Sequence, residues 1–561
     1  MRRKRFNRKP MSHWKKMMLI GTFVLGLLSL TFMLDQHKVF TLEQKTEEKK
    51  LSMSYLYFGN SSSYIEKIDQ SGNSLQTVSP SYFDLNEDGS LKNNIDPKFV
   101  SEMKKRNIKI VPFLSNHWNR EIGRAALSNK EGLVDELVAA INQYQLDGVH
   151  VDIENLTEGD RTEYVELMRL LWDKLSDEKE VSIAVAANPN GINKGWQGSY
   201  DYKELAKYSD YLMIMAYDES YYGSAPGPVA SLTFVEKSVQ YALKNVPADK
   251  IVLGIPFYGR YWPEGAKGGT GIDMKRVEEL VSKYNGMKKF DETSKSAYAE
   301  FTVPNGENPS VYYWKLDPGK YKVWYENDES LKHKLRLVQK YDLLGTASWS
   351  LNSAPSAIWD FYTPWLNGEH YFFDVENDWA ERDILTMFSN GWMIGTSEDN
   401  FSPNQPLTRA QATVVLVRAL GLEQQQLEKS TSSSTTGYFS DVKTSHWAKK
   451  EIEIAYEHNL IKGIGDSQFA PDQTITRAEI SALLARVINK KDSVTIASIR
   501  ETAENPFYDI SNHWAYNDIT TLANLNIVRG VKENEFQPDS IVTRAQMAAL
   551  MNRSSSLIIG E

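Results

Sequence analysis

The sequence contains no cysteine, which excludes disulfides, thiol nucleophiles and thiolate zinc sites together. It also lacks a basic surplus. The net charge of −9 argues against nucleic acid as the main partner. Long uncharged apolar runs are missing except at the start, where "MMLIGTFVLGLLSLTFML" (17–34) follows a basic stretch, 1–16, with eight Lys or Arg and no acid. Eighteen such residues just span a bilayer as a helix. The basic flank predicts an inside N-terminus and an exported remainder. A cleaved signal peptide and a retained membrane anchor both fit, and the lack of a small-x-small cleavage site before Asp35 leans towards the anchor. An exported chain without disulfides suits a Gram-positive type of cell surface.

Length alone calls for several domains. After a polar linker, 35–50, short β-rich apolar runs alternate with helical stretches from 51 to 366. The runs are "SYLYFG", "IKIVPFLS", "GVHVDIE", "VSIAVAA", "YLMIMAY", "IVLGIPFYG" and "GTASWSL", with an eighth near "LQTVSPSYFDL". This alternation predicts an α/β fold: a parallel sheet with helices outside, closing as a (β/α)8 TIM barrel. A doubly wound open sheet is the alternative. The stretch from Trp262 to about Leu344 is too long for one loop and helix, so it predicts a small insertion before the last strand.

The C-terminal third repeats. "DWAERDI…LTRAQ", "HWAKKEI…ITRAE" and "HWAYNDI…VTRAQ" occur in order, and Trp379 to Thr408, Trp447 to Thr476 and Trp514 to Thr543 each span 29 residues. Each unit reads as helix, loop and second helix, the latter opened by a capping box from Thr to the Glu or Gln three residues on. The repeats are placed at 372–421, 438–489 and 506–553, with polar spacers at 422–437 and 490–505. They resemble S-layer homology domains, which implies a mainly α, three-lobed module that binds a pyruvylated secondary wall polysaccharide. Arg409, Arg477 and Arg544 follow the capping threonines, where a guanidinium fork and free helix N–H groups suit a carboxylate; the resemblance makes them ligand contacts. Trp379, Trp447 and Trp514 are expected in the core. The first copy departs from the pattern, with "NDWAE" and the loop "GTSEDN".

Chemistry concentrates in "DGVHVDIEN" (147–155). Read as a strand, Val149, Val151 and Ile153 face the helices, while His150, Asp152 and Glu154 face the barrel interior. Glu154 lies nearest the C-terminal end, where barrels place catalysis. Two buried acids side by side are costly without a function. The stretch resembles the signature of glycoside hydrolase family 18. "MAYDES", "LGIPFYGRYW" and "ASWSLN" are similar to other strands of that family. "SPSYFDLNEDGSL" and "VWYENDESLKHKL" point to its branch of spore-cortex and peptidoglycan-cleaving glucosaminidases.

That resemblance implies hydrolysis of β-linked N-acetylglucosamine glycans, peptidoglycan or chitin, without cofactor, metal or protein nucleophile, because the substrate's own acetamido oxygen attacks. Glu154 would be the acid and then the base. Asp152 would orient the acetamido group, Tyr217 would hydrogen-bond its oxygen, and Trp349 would floor the sugar site. Asp218, Tyr258 and Asn188 are further pocket candidates, and Asp147, at the strand start, is a weaker one. His150 departs from the family pattern, which has an acid or Asn there. It is expected to hydrogen-bond Asp152 when neutral, or to hold it as the anion when charged, and so to alter the pH profile. The competing class is a non-catalytic sugar-binding barrel displayed on the S-layer; the retained Glu154 argues against it.

Overall fold

The computed structural model describes residues 49–423, 437–491 and 493–559. The basic stretch, the apolar segment 17–34, most of the 35–50 linker and most of the 422–437 spacer lie outside the described residues. No helix among the described residues is long and apolar enough to cross a membrane. The chain divides into two compact units after Gly368.

In the first unit, eight parallel strand positions form the ring: Leu51–Leu56, Thr77–Pro80, a broken third strand, Gly148–Asp152, Glu180–Ala186, Tyr211–Met215, Ile251–Pro256 and Gly345–Trp349. The first strand pairs with both the second and the last. The third closes the ring in two pieces, Lys109–Ile110 on the second strand and Phe113–Ser115 on the fourth. The break falls at Pro112, which has no N–H to give the ladder; its carbonyl still accepts from His150 N at 2.9 Å. The barrel thus has the predicted strands, including the eighth expected near "LQTVSPSYFDL".

Both faces of the ring are covered, so its strands are almost continuously apolar. Helices Lys130–Tyr144 and Arg161–Lys174 bury one stripe each, such as Leu133, Leu137, Ala140 and Ile141 in the first. Val149, Val151 and Ile153 are fully buried. The interior face is filled by Met53, Tyr55, Phe113, Ala184, Tyr211, Met213, Met215, Val252 and Ala347. These set the floor on which the polar row of the fourth strand stands.

The insertion begins at the end of the seventh strand. It is a five-stranded antiparallel sheet, in the order Thr270–Asp273, Tyr258–Pro263, Gly319–Tyr325, Ser296–Val303 and Met287–Asp291. Helix Met274–Lys283 covers its own core of Val277, Leu280, Val323 and Tyr325. A small hairpin, Ser310–Val311 with Trp314–Lys315, projects from it.

The second unit holds three helix pairs around one core. Each long helix, starting at Arg409, Arg477 or Arg544, opens with the predicted threonine capping bonds, as Thr408 to Gln411 shows in full. Short bridges Thr408↔Thr474, Thr476↔Ile541 and Pro406↔Thr543 join each repeat to the next and the last to the first. The spacer expected at 490–505 is a helix for most of its length, Ser493–Thr502, because its polar composition hides Ile496, which is buried in the common core.

Gly254 on the seventh strand is required by close approach. A Cβ there would lie 2.4 Å from the Ile214 carbonyl oxygen and 3.0 Å from the Tyr217 ring. Gly254→Ala should therefore destabilise the unit by about 1–3 kcal/mol, read as a lower denaturant midpoint. An unchanged midpoint would contradict this packing.

Candidate active site

The fourth strand ends at Asp152, and Glu154 stands two residues beyond it at the rim. The backbone is pinned there by Asn116, whose amide takes Glu154 O at 2.8 Å and whose oxygen receives Glu154 N at 2.9 Å. The chain then leaves through Asn155 in the left-handed region (φ 60), held by two bonds from Arg120. The sixth strand does the same: Tyr217 is followed by Asp218 at φ 59. Asn and Asp tolerate this conformation better than most residues. These sharp exits leave Glu154 and Tyr217 at the tips of their strands.

Asp152 lies one step deeper and is buried, and its Oδ1 has no hydrogen-bond partner among the described residues. Burial lifts its pKa from 3.8 to about 7. Glu154 is also raised well above the ordinary carboxyl value, first by burial and then by the charges of Asp152 and Asp218. Tyr217 is raised by burial, then by Asp152 and Glu154, so its hydroxyl keeps its proton. The indole of Trp349 lies among Tyr55, Tyr57, Phe58 and Phe113, with centroids 5.1–6.4 Å away. On another part of the rim, Trp118 meets Trp196 edge-on at 5.0 Å.

The seventh-strand side adds a residue that the sequence reading missed. Asp218 Oδ1 accepts from Tyr258 OH at 2.5 Å and from Arg260 Nη2 at 2.7 Å. Tyr258 and Arg260 alternate in "FYGRYW", so their two-residue spacing on one strand face was the available signal.

Three expectations are corrected. His150 does not touch Asp152 and is fully buried, so it meets no substrate. Its Nε2 lies 2.6 Å from Tyr55 OH and its Nδ1 2.8 Å from Ser182 Oγ. Ser182 donates onward to Glu180, which also receives Tyr211 OH at 2.7 Å. This direction puts the ring proton on Nδ1 and makes Tyr55 the donor to Nε2. Burial pulls the His150 pKa down to about 3, so it is neutral wherever the protein works. Asn188 spends its side chain closing its own loop, bonding Ile192 N and O. Asp147 accepts from Ile110 N at 2.8 Å at the opposite end of the strand from Glu154.

In the second unit the arginines and tryptophans exchange their expected places. Arg409, Arg477 and Arg544 each lie over a phenylalanine of the neighbouring repeat, at 4.9, 4.3 and 4.4 Å. Each also donates Nε to that residue's carbonyl and Nη2 to a nearby carbonyl. They are largely buried inter-repeat ties. Trp379, Trp447 and Trp514 are 64, 60 and 65% exposed rather than in the core. They precede the short helices, outside the amphipathic stripe that would have buried them. Trp514 shares a groove with Arg409 and Arg486, and Trp447 shares one with Arg544 and Arg418.

A larger cavity of about 1010 Å³ lies between the insertion and residues 223–226, and it contains none of the barrel-mouth groups. The paired acids stand at the barrel mouth instead.

Residues 53–354, more than half of the chain, match the sequence model of glycosyl hydrolases family 18. The chain belongs to glycoside hydrolase family 18. Residues 372–413, 438–480 and 506–548 of this family 18 hydrolase match the S-layer homology domain. It is thus a glycosidase with a cell-surface anchoring module. It is 24% identical over 328 residues to the uncharacterized glycosylase YvbX of Bacillus subtilis, covering 56% of this chain and 92% of that one. It is 27% identical over 270 residues to the cortical fragment-lytic enzyme of the same species, covering 46% of this chain but only 60% of that enzyme. A chitinase structure from Chromobacterium violaceum superposes with a TM-score of 0.50 at 26% identity, covering 56% of this chain and 99% of that one.

The two buried groups have opposite effects on stability. From pH 6.5 down to about 3, the unfolded chain binds a proton at His150 that the folded chain refuses, so falling pH destabilises. From about pH 7 down to 3.8, the folded chain holds a proton on Asp152 that the unfolded chain releases, so falling pH stabilises. Each slope is about 1.4 kcal/mol per pH unit, and they cancel where they overlap. His150→Asn removes only the first. On going from pH 7 to pH 5, the variant's unfolding free energy should therefore rise by about 2 kcal/mol more than the wild type's. Parallel pH dependence in denaturant titrations would show that His150 is not held neutral.

Proposed function

We propose that the protein cleaves the glycan strands of peptidoglycan after N-acetylhexosamine units by substrate-assisted, retaining hydrolysis at the cell wall. The observation that carries this reading is the pair of acids at the end of the fourth strand, Glu154 raised by burial and by its neighbours and Asp152 with a buried Oδ1 that no described residue partners.

The sugar before the cleaved bond would rest on Trp349. Glu154, whose proton is held more tightly than an ordinary carboxyl's, donates to the leaving glycosidic oxygen. The acetamido oxygen attacks the anomeric carbon, and the Tyr217 hydroxyl donates to that oxygen, orienting it. Positive charge then develops on the oxazolinium ring. Asp152 Oδ1 has no internal partner to give up, so it can take the acetamido N–H and stabilise that charge as an anion. A neutral His150 adds no positive charge beneath the ring. Glu154, now deprotonated, draws a proton from water, which opens the oxazolinium with overall retention. Arg260 and Tyr258 fix Asp218 beside this centre.

The choice of peptidoglycan rests on likeness to the cortical fragment-lytic enzyme and on the anchoring module, which would hold the barrel beside its polymer. That module would take an anionic, pyruvylated wall polysaccharide in the grooves where exposed tryptophans meet arginines. The membrane segment, if retained, would add a second tether.

Purified peptidoglycan and N-acetylglucosamine oligomers, digested with wild type and Glu154→Gln, test the assignment. New reducing ends should appear with the wild type and fall by at least about 100-fold in the variant. Equal release by both proteins would overturn it, and cleavage of the oligomers alone would make the enzyme a chitinase.

A further inference from the structure

Several arginines of the barrel unit are spent on acids. Arg106, Arg124, Arg169, Arg260 and Arg276 each pair with a carboxylate oxygen at 2.7–3.0 Å. Arg120 is different. It opens the helix Arg120–Ser128, just past the third strand, and makes no ion pair among the described residues. Its two hydrogen bonds go to neutral oxygens of Asn155, from Nε to the carbonyl at 2.6 Å and from Nη2 to Oδ1 at 2.8 Å. Asn155 directly follows Glu154. Asn116 ties the same two segments a second time, because its amide donates to Glu154 O and to Asn119 O, both at 2.8 Å. Arg120 therefore has a fixed place beside the acid.

Holding Asn155 uses only one edge of the guanidinium, Nε with Nη2. The end-on edge carries Nη1 and the second Nη2 hydrogen. Nη1 has no hydrogen bond among the described residues and is not among their buried unpartnered atoms, so it faces water. A planar fork fixed by one edge and open at the other is preset for a carboxylate. Its charge is also uncompensated, in a chain of net charge −9 and beside a mouth that holds Asp152, Glu154 and Asp218. Without a local cation, an anionic group on the substrate would be repelled there. Arg260 cannot serve, since Asp218 and Gly269 O occupy it. Arg124, one turn along the helix from Arg120, is taken by Asp160.

Position says which sugar the fork would meet. Trp349 ends the eighth strand, across the ring from the fourth. With one sugar on Trp349 and its glycosidic oxygen at Glu154, the leaving unit lies on the fourth-strand side, where Arg120 stands. In an alternating strand with N-acetylglucosamine on Trp349, that unit is N-acetylmuramic acid. Its lactyl group ends in a neutral amide when it carries a peptide and in a carboxylate once the peptide is gone. The peptide's own carboxylates lie farther from the sugar ring.

We propose that Arg120 binds the free lactyl carboxylate of the leaving muramyl unit, so that strands stripped of their peptides are taken in preference to peptide-bearing ones. The reaction that supplies this substrate is hydrolysis of the lactyl amide, in which water breaks the C–N bond and leaves a carboxylate and a free amine. The inference rests on the proposed cleavage of peptidoglycan strands and adds which form of the strand is cut.

Calorimetric binding to the Glu154→Gln protein tests this without turnover. The ligands are a peptide-free muramyl glycan, the same glycan with its lactyl carboxyls capped as methyl amides, and an N-acetylglucosamine oligomer of equal length. The acid glycan should bind at least about tenfold more tightly than either neutral ligand. Arg120→Gln in the same background should erase that difference, and Arg120→Lys should keep part of it. No preference for the acid glycan in the parent overturns the inference, as does a preference that survives Arg120→Gln. Equal weakening of all three ligands by Arg120→Gln would mean that the side chain only holds Asn155, and overturns it too. Reducing ends released by the wild type without the charge preference would sink this inference and leave the hydrolase reading standing. The preference beside a wild type that releases none would do the reverse.

Discussion

Three polar side chains on one strand face are carried into an interior where charge is expensive, and the rest of the site follows from how each is neutralised. His150 gives up its proton and is bonded on both nitrogens. Asp152 holds a proton to about pH 7 and keeps one oxygen unpartnered. Glu154, at the rim, is raised by the same burial and by its neighbours. A carboxylic acid that holds its proton above the ordinary carboxyl range and a second one able to ionise when positive charge appears are the two groups that substrate-assisted hydrolysis requires. The barrel supplies them through depth alone, with one face of one strand running from lumen to rim.

His150 shows how a departure from a family pattern can be absorbed. A charged imidazole beneath Asp152 would oppose the developing oxazolinium. Tyr55, Ser182, Glu180 and Tyr211, from three other strands, hold the ring in a neutral form instead. The family's acid at this position could share a proton with Asp152; here the imidazole is tied into a separate buried chain instead. The second unit reaches its stability by a comparable device. Each repeat's arginine is committed to the next repeat, and the three ties close a ring. The exposed tryptophans take no part in these ties.

Much of this was legible in the residues because it depends on periodicity. Alternation in "DGVHVDIEN" assigned the inward row, and equal spacing in three copies set out the C-terminal repeats. What was not legible depends on neighbours from distant segments. The partners of His150 come from the first and fifth strands, and Asn188 could not be recognised as a loop closure before Ile192 was seen to return to it. The arginines follow helix caps, which suggested a ligand. Their phenylalanine partners lie 59 to 143 residues away. The tryptophans sit just outside helices, where no periodicity says which way a side chain points.

The central claim is that the attacking oxygen belongs to the substrate, with Asp152 and Tyr217 serving it. Sequencing the products released from a partially N-acetylated glucosamine polymer tests this most directly. If the acetamido group is the nucleophile, every new reducing end will carry an N-acetyl group, whatever occupies the far side of the cleaved bond. New reducing ends of free glucosamine would mean that the bond breaks without that group, and would contradict the account.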